Sequence, residues 1–222
     1  MAGRLGTLTL AAALGLGGAV HAQEAETGPP EARPPGSAAE IRGEDGVFYA
    51  INSAGIPYID MGAPVLAPGE VLTVQFDDGT GMPVAPMLTE VAEDAAWVGC
   101  IGALLAPDGT MRGRPPEPCA PQFDVRRILA GAGPGSMRIS YAQDPNRVIM
   151  VLRVAHNFPR MVKYDLLVEE LRTEPAFFGR TVTCPVPPGR PALETWPFPI
   201  GRVILTNIRF VPEGEEGQAR CE

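Results

Sequence analysis

The sequence has few of the residues on which most catalytic and metal sites depend. It contains 2 histidines, and Lys163 is the lone lysine among its 18 basic residues. No Gly-x-Ser-x-Gly turn is present that would expose a nucleophilic serine. There is also no Cys-x-x-Cys pair of the kind found at zinc and thiol redox sites. These absences disfavour serine hydrolases, thiol oxidoreductases and structural zinc domains.

Basic charge is scarce relative to acidic charge. The chain has 18 basic and 26 acidic residues, a formal net charge of −8, and no stretch concentrates the basic ones. An acidic domain without a basic surface repels the phosphate backbone of nucleic acids. We therefore expect no nucleic acid partner.

The first 22 residues have the pattern of a cleaved signal peptide. Arg4 is followed by an apolar run over residues 5–20, and the segment closes on Val20-His21-Ala22, the small-x-small pattern that signal peptidase reads. The run is too short and too rich in glycine and alanine for a membrane-spanning helix of about 20 residues. The sequence thus predicts cleavage after Ala22, a periplasmic or extracellular location, and no transmembrane segment in the mature chain.

Residues 23–44 are rich in proline, glycine, alanine and glutamate, with almost no large apolar side chain. Such a composition cannot bury enough apolar surface to offset the entropy of ordering the chain. We interpret residues 23–44 as a disordered linker and residues 45–222 as the folded domain. The glycine-rich stretch 131–136 is a candidate boundary inside that domain.

Between the prolines and glycines, side chains alternate with a period of two. Leu72, Val74 and Phe76 share one face of their segment, and the turn sequence DDGTG follows directly. Short strands separated by turn signals predict a mostly β fold, an antiparallel β-sandwich. The predicted strands cover residues 47–52, 70–76, 96–105, 136–142, 147–157, 161–170 and 201–211.

Helical features are limited to two segments. Residues 87–105 place Leu88 and Val91 at helical spacing, although glycines favour a strand for the second half of the segment. Residues 124–130 predict a short helix, because Asp124 can cap its N-terminus and a glycine follows its end.

A faint repeat relates residues 50–62 to residues 154–166. Each carries an asparagine at the end of a strand, then a proline, then a tyrosine near an aspartate. One hypothesis is therefore that the domain consists of two similar small β units. Chance resemblance between turn-rich β sequences is the alternative.

Cysteine provides the firmest chemistry in the sequence. An exported chain with four cysteines predicts two structural disulfides in an oxidising compartment. Three pairings are open, of which Cys184–Cys221 would tie the C-terminal tail to the domain. A metal or redox site is the alternative, and the spacings match no zinc pattern. The four residues are Cys100, Cys119, Cys184 and Cys221.

Two places are candidates for binding. Trp196 and Phe198 lie in the proline-rich segment 183–203, where an exposed aromatic on a stiff loop could contact a partner. The alternative is that Trp196 folds back over the open end of the sandwich. His156, the remaining histidine of the mature chain, and Arg160 are expected together at a sandwich edge, where they could touch a ligand.

Catalysis by His156 is disfavoured because the sequence gives it no partners. Asp165 is expected to point outward from the next strand, and no nucleophilic serine is available. We therefore assign no catalytic residue, no metal and no cofactor. The preferred hypothesis is an exported, disulfide-stabilised β domain with a non-catalytic binding or envelope-accessory role, whose partner is a protein or a glycan of the cell envelope.

Two other functions remain open. The first is an exported hydrolase that uses paired carboxylates, since acidic residues are adjacent at 77–78, 169–170 and 213–217. The second is a periplasmic copper-handling protein with thioether ligands, since Met137, Met150 and Met161 lie near His156 in sequence. Hairpin turns, solvated surface and core packing are the ordinary uses of these residues.

Overall fold

The computed structural model describes residues 31–44, 46–77, 84–93, 135–144, 148–172 and 177–222. These described residues form twelve β-strands and no helix. The strands are β1 (Ala38–Arg42), β2 (Phe48–Asn52), β3 (Ile59–Asp60), β4 (Ala63–Leu66), β5 (Glu70–Asp77), β6 (Val84–Glu93), β7 (Ser136–Gln143), β8 (Met150–His156), β9 (Val162–Glu170), β10 (Phe177–Thr181), β11 (Ala192–Trp196) and β12 (Ile200–Phe210). In this part of the chain, no helix is long and apolar enough to cross a membrane.

The strands form two five-stranded antiparallel sheets and one hairpin. The first sheet has the order β10-β9-β12-β4-β3, the second has the order β11-β8-β7-β5-β6, and β1 pairs with β2. The predicted mostly β fold and antiparallel sandwich are therefore confirmed. Strands from both sides of residues 131–136 share both sheets, and β5 pairs directly with β7. The described strands thus form one sandwich and not two separate β units.

The core lies between the two sheets, on the faces that the alternation predicts. Leu72, Val74 and Ile139 of the second sheet are fully buried, as are Tyr164 and Leu166 of the first sheet. Burial of such side chains contributes roughly 1.5 to 3 kcal/mol each. The apolar contact between the sheets is therefore the main stabilising term of the fold.

A hydrogen bond through this core joins the two sheets. The Tyr141 hydroxyl of β7 donates to the Ile200 carbonyl of β12 at 2.7 Å. Burial raises the pKa of Tyr141 well above its ordinary value, and the negative charge of Glu169 adds to the rise. The hydroxyl therefore stays protonated and keeps its role as a donor.

Six of the predicted strands are present, as β2, β5, β7, β8, β9 and β12. The helical spacing at the start of residues 87–105 does not reflect a helix. Residues Val84–Glu93 form β6, which pairs with β5. Val74 lies opposite Leu88 and Leu72 opposite Val91, with a register shift between the two pairs. A β-bulge there places residues three apart on the same face. The predicted strand 96–105 and helix 124–130 lie outside the described residues.

The linker prediction is wrong for residues 31–44, which belong to the folded structure. β1 pairs along its length with β2, and Ile41 of β1 is 1% exposed. Residues 23–30 and the predicted signal peptide lie outside the described residues. The composition of this segment did not indicate that it folds, because a few residues hold it in place. Arg33 is one of them, with five hydrogen bonds.

Arg33 uses all of its donors. Its Nε and Nη2 donate to the two carboxylate oxygens of Glu70 at 2.6 and 2.5 Å. Nη2 also donates to the Val65 carbonyl at 2.7 Å, and Nη1 donates to the Ile56 and Pro57 carbonyls at 3.0 and 3.1 Å. These five bonds match the five N–H groups of a guanidinium. One side chain therefore holds the N-terminal segment against both sheets.

The C-terminal tail is fixed by the Cys184–Cys221 disulfide, a bond between residues 37 apart in sequence. Backbone hydrogen bonds of 2.7 and 3.0 Å join Thr183 and Glu222 in both directions. The predicted disulfide between these two cysteines is confirmed. Cys100 and Cys119 lie outside the described residues, so their predicted disulfide stays a prediction.

The Arg33–Glu70 pair gives a direct test of the N-terminal anchor. Glu70→Gln removes the charge partner of a guanidinium that is fully buried, and we expect a loss of about 3 to 5 kcal/mol in the free energy of unfolding. The measurement is urea unfolding followed by circular dichroism. Arg180→Gln is the matched control, because it breaks an ion pair whose arginine side chain is 71% exposed, and at most about 1 kcal/mol should be lost. Equal losses of unfolding free energy in the two variants would contradict the role of the Arg33–Glu70 pair as the N-terminal anchor.

Candidate functional site

His156 ends β8 inside the protein and is 1% exposed. Its Nε2 lies 2.8 Å from the Val186 carbonyl, and its Nδ1 accepts the Phe158 N–H at 3.2 Å. A carbonyl oxygen only accepts, so Nε2 carries the proton and the ring is neutral. Burial lowers the pKa of His156, and the bond to Val186 offsets part of that effect. The prediction that His156 could touch a ligand at a sandwich edge is therefore wrong: the ring caps the β8–β9 turn.

Arg160 lies in the same turn but serves a different contact. Its Nη2 donates to the Val211 carbonyl at 2.8 Å, and its guanidinium lies 5.1 Å from the centre of the Phe210 ring. Arg160 thus joins the β8–β9 turn to the end of β12. Since His156 is buried, the two residues do not present a shared ligand surface.

Trp196 ends β11 and is 6% exposed. Its indole Nε1 donates to the Thr181 hydroxyl of β10 at 3.3 Å. The ring therefore covers the open side of the sandwich between the edge strands of the two sheets, as the alternative interpretation predicted. Phe198 is half-buried beneath Arg172, whose guanidinium lies 4.2 Å from its ring centre. The proline-rich segment presents neither ring as an open platform.

The adjacent carboxylates of β9 are engaged by arginines on opposite faces. Glu169 binds Arg202 through both oxygens at 2.6 and 2.7 Å, and Glu170 binds Arg172 at 2.6 Å. Gly201 makes room for the first pair, because a Cβ there would lie 2.9 Å from the Glu169 carboxylate. The Glu169–Arg202 pair connects β9 to β12, whereas the Glu170–Arg172 pair is local to the end of β9.

Asp165 forms a network with three neighbours on the outer face of the first sheet. It accepts from Arg180 at 2.6 Å, from Asn207 at 3.1 Å and from Arg209 at 3.2 Å. Partial burial alone would raise the pKa of Asp165. The bonds from Asn207 and Arg209 and the charges of both arginines outweigh burial and hold this pKa below its ordinary value. Asp165 points outward, as predicted.

The methionines proposed as copper ligands lie mainly in the core. Met137 and Met150 are fully buried among the apolar side chains between the sheets. Within the described residues, no three of His, Cys, Asp and Glu are grouped so that they could hold a metal ion. Packing accounts for both methionines.

A pocket of about 440 Å³ lies beside the N-terminal segment. Its walls include Pro35, Ser37, Tyr58, Glu70 and Val91. The charged group in this lining is the Glu70 carboxylate, which is already bound to Arg33 and also accepts the Ala67 N–H at 2.7 Å. The pocket therefore offers little unsatisfied polar chemistry to a ligand.

The edge strand β10 carries exposed apolar side chains. Three of the seven exposed large apolar side chains in the described residues are on β10 or directly after it: Phe177 at 61%, Phe178 at 41% and Val182 at 59%. β10 pairs with β9 on one side, and no described strand pairs with its other side. Unpaired backbone groups and exposed rings together form a template for another extended chain. We call residues 177–182 the β10 edge.

Two arginines lie at the β10 edge, Arg180 and Arg202. Arg180 projects from the strand with 71% of its side chain exposed, and Arg202 lies 5.5 Å from the Phe178 ring centre. Each arginine is bound to a carboxylate, Asp165 or Glu169. The edge therefore combines apolar rings with arginines that are already neutralised.

Sequence reasoning missed both the β10 edge and the Arg33 anchor. The signal for the edge was the pair Phe177-Phe178 followed by alternating residues, but glycine and proline beside it made the segment look like a loop. Arg33 had no signal in sequence, because its five bonds join segments up to 37 residues away.

Comparisons with known proteins do not assign the chain to a family: no family model, no curated protein and no solved structure matches it.

Glu194 of β11 gives a pH-dependent prediction. Burial raises the pKa of this half-buried carboxyl, and the Cys184 N–H that it accepts at 3.2 Å offsets part of the rise. Because the folded state binds this proton more tightly, its contribution to stability is lost as pH rises from the ordinary glutamate pKa through the raised one.

Glu194→Gln keeps the acceptor and removes the charge. We expect the variant to be more stable than the wild type at pH 7, with a smaller difference at pH 4, by thermal unfolding at both pH values. Glu215→Gln, at an exposed position, should change stability little at either pH. A variant less stable than the wild type at pH 7 would refute this account of Glu194.

Proposed function

We propose that this protein is exported to the periplasm or the extracellular space and acts there as a binding domain. The β10 edge would be the contact surface, and the partner would be a protein of the cell envelope that supplies an extended segment. The observation that carries the proposal is the coincidence of an unpaired strand edge with Phe177 and Phe178, which are 61% and 41% exposed.

Strand addition fits the chemistry of this edge. A partner segment would bond to the open backbone of β10, while alternate side chains select its sequence. Phe178 and Arg180 share one side of the strand by alternation. Val182 follows directly after the strand and is 59% exposed. An apolar partner residue beside Phe178 and Val182, and a polar one near the Arg180–Asp165 pair, would match this side.

Export is supported by two independent features. The N-terminal 22 residues have the charge, apolar run and small-x-small ending of a cleaved signal. The Cys184–Cys221 disulfide is typical of proteins that fold in oxidising compartments.

A protein partner is favoured over a glycan. Sugar-binding surfaces use an open aromatic face beside free polar groups, whereas Trp196 is 6% exposed and Phe198 lies under Arg172. A hydrolase with paired carboxylates is less well supported, since Glu169 and Glu170 are both bound to arginines.

Site-specific photo-cross-linking in the native envelope tests the proposal. A photoreactive residue at position 177 should capture a protein, identified by mass spectrometry, because the side chain there lies on the contact surface. The same residue at position 48 is the matched control, since Phe48 and Phe177 are both 61% exposed. We expect at least about tenfold more capture at 177, as for a central interface residue.

Equal capture from the two positions, or none from either, would overturn the proposal. Capture of glycan at position 177 in place of protein would also contradict it. Phe177→Ser supplies a second measurement: it should abolish co-purification of the captured protein while changing stability by no more than about 0.5 kcal/mol.

A further inference from the structure

Residues 212–222 follow β12 and are attached to the domain mainly at one end; we call them the strap. No residue of the strap is buried, and Ala219 is half-buried. Its hydrogen bonds, ion pair and disulfide to the rest of the domain all involve residues 220–222. The strap therefore depends on a few contacts at its end and not on buried apolar surface.

The end of the strap pairs with the chain just beyond β10 in the manner of an added strand. The Thr183 and Glu222 N–H groups donate to each other's carbonyl at 2.7 and 3.0 Å, which is a hydrogen-bonded pair of an antiparallel ladder. Cys184 and Cys221 are the next pair in the same register, and the disulfide joins them. The domain thus already binds one extended segment at this place.

Lys163 of β9, the lone lysine of the chain, is covered by the strap. It alternates with the core residues Val162 and Tyr164 and so faces away from the second sheet, yet it is 8% exposed. Its Nζ donates to the Arg220 carbonyl at 3.1 Å and lies 2.7 Å from the Glu222 carboxylate. Both of these partners belong to the strap.

The Glu222 carboxylate balances positive charge on this face of the first sheet. The hydrogen bond from Lys163 and the charge of Lys163 lower the pKa of Glu222, and the charge of Arg209 adds to the effect. The nearby carboxylate of Asp165 is already bound to Arg180 and Arg209. If the strap left, Lys163 would lose the carboxylate that balances its charge.

We propose that Lys163 and Thr183 form a binding site for an acidic extended segment, which the strap closes and which reduction of the Cys184–Cys221 disulfide opens. The strap itself shows the chemistry of the ligand: a backbone that pairs with Thr183 and a carboxylate that reaches Lys163. Backbone pairing by an added segment is a common mode of peptide recognition, and a lysine ammonium bonds strongly to a carboxylate.

Opening requires a dithiol reductant. A thiolate of the reductant attacks one sulfur of the disulfide to form a mixed disulfide, and the second thiol of the reductant then resolves it. Two electrons and two protons pass to Cys184 and Cys221, and the reductant becomes a disulfide. Cys221 is exposed and Cys184 is half-buried, and exposed disulfides are the ones that are readily reduced.

Acylation of amines by a water-soluble ester, followed by peptide mass spectrometry of the full chain, tests the opening. Lys163 gives an unambiguous signal as the lone lysine, and the α-amino group of the chain is the internal reference. The Cys184→Ser/Cys221→Ser double variant breaks this disulfide alone. We expect Lys163 to be acylated at least about tenfold faster in the double variant than in the oxidised wild type, because the disulfide stabilises the closed strap more than the remaining hydrogen bonds do.

A peptide probe tests the binding site in the same assay. The probe is the peptide of residues 218–222 with serine in place of Cys221, acetylated and amidated so that Glu222 supplies its carboxylate. At about millimolar concentration, comparable to the effective concentration of a tethered segment, it should slow acylation of Lys163 in the double variant at least about twofold. The same peptide with glutamine in place of Glu222 is the matched control and should not.

Two further measurements separate opening of the strap from unfolding and from loss of charge. The amides of β8 should stay protected against hydrogen exchange in the double variant and in wild type reduced with a dithiol, which should also acylate faster at Lys163. Glu222→Gln keeps the disulfide and removes an ion pair whose carboxylate side chain is 72% exposed, so its acylation should stay within about twofold of the wild type.

Equal acylation of Lys163 in the oxidised wild type and the double variant would overturn the proposal, as would an equal rise in Glu222→Gln. Opening without protection by the acidic peptide would also contradict the site. The site uses Lys163 and Thr183, whereas the contact surface proposed above uses Phe177 and Phe178, so either proposal can fail without the other.

Discussion

The contact between the inner faces of the two sheets is the constraint on which the rest of the structure depends. Leu72 and Ile139 of the second sheet and Leu166 of the first are fully buried there, and the Tyr141 hydroxyl bonds across the gap to the Ile200 carbonyl. Stacking of the sheets leaves the sides of the core and the chain ends to be covered or held in place. Trp196 covers one open side, the Arg33–Glu70 pair holds the N-terminal segment, and the Cys184–Cys221 disulfide holds the tail. None of these contacts covers the Phe177 and Phe178 rings of β10, which remain exposed.

The strands of the central sandwich could be predicted because their side chains alternate with a period of two. β8 is mainly apolar on both faces, as is typical of a central strand. Leu72, Val74 and Tyr164 face the core as the pattern indicated. The pattern failed where an irregular pairing decided the structure. A bulge in β6 gave Leu88 and Val91 the spacing of a helix. β1 was not predicted, because its segment has a composition typical of disorder. Both segments are held by pairing with another strand, and the local sequence of a segment does not show which strand it pairs with.

The candidate sites were harder to predict, since they depend on which side chains are buried and which backbone groups are unpaired. His156 drew attention as an isolated histidine, but both ring nitrogens are used inside the protein. The alternation of residues 136–142 puts Arg138 and Ser140 on the outward side of β7, but it does not show that Ser140 is buried there. The aromatic pair 177–178 was overlooked because strand edges are defined by sheet order, which no local pattern encodes.

We propose that β10 is an open edge that a partner strand completes. Hydrogen–deuterium exchange followed by mass spectrometry tests it most directly, on the free protein and on its complex with the partner recovered from the envelope. Backbone amides of residues 177–181 that point away from β9 should exchange rapidly in the free protein and become protected in the complex, while the β1–β2 hairpin stays unchanged. Exchange at β10 that is already slow in the free protein, or identical in the two states, would contradict the account.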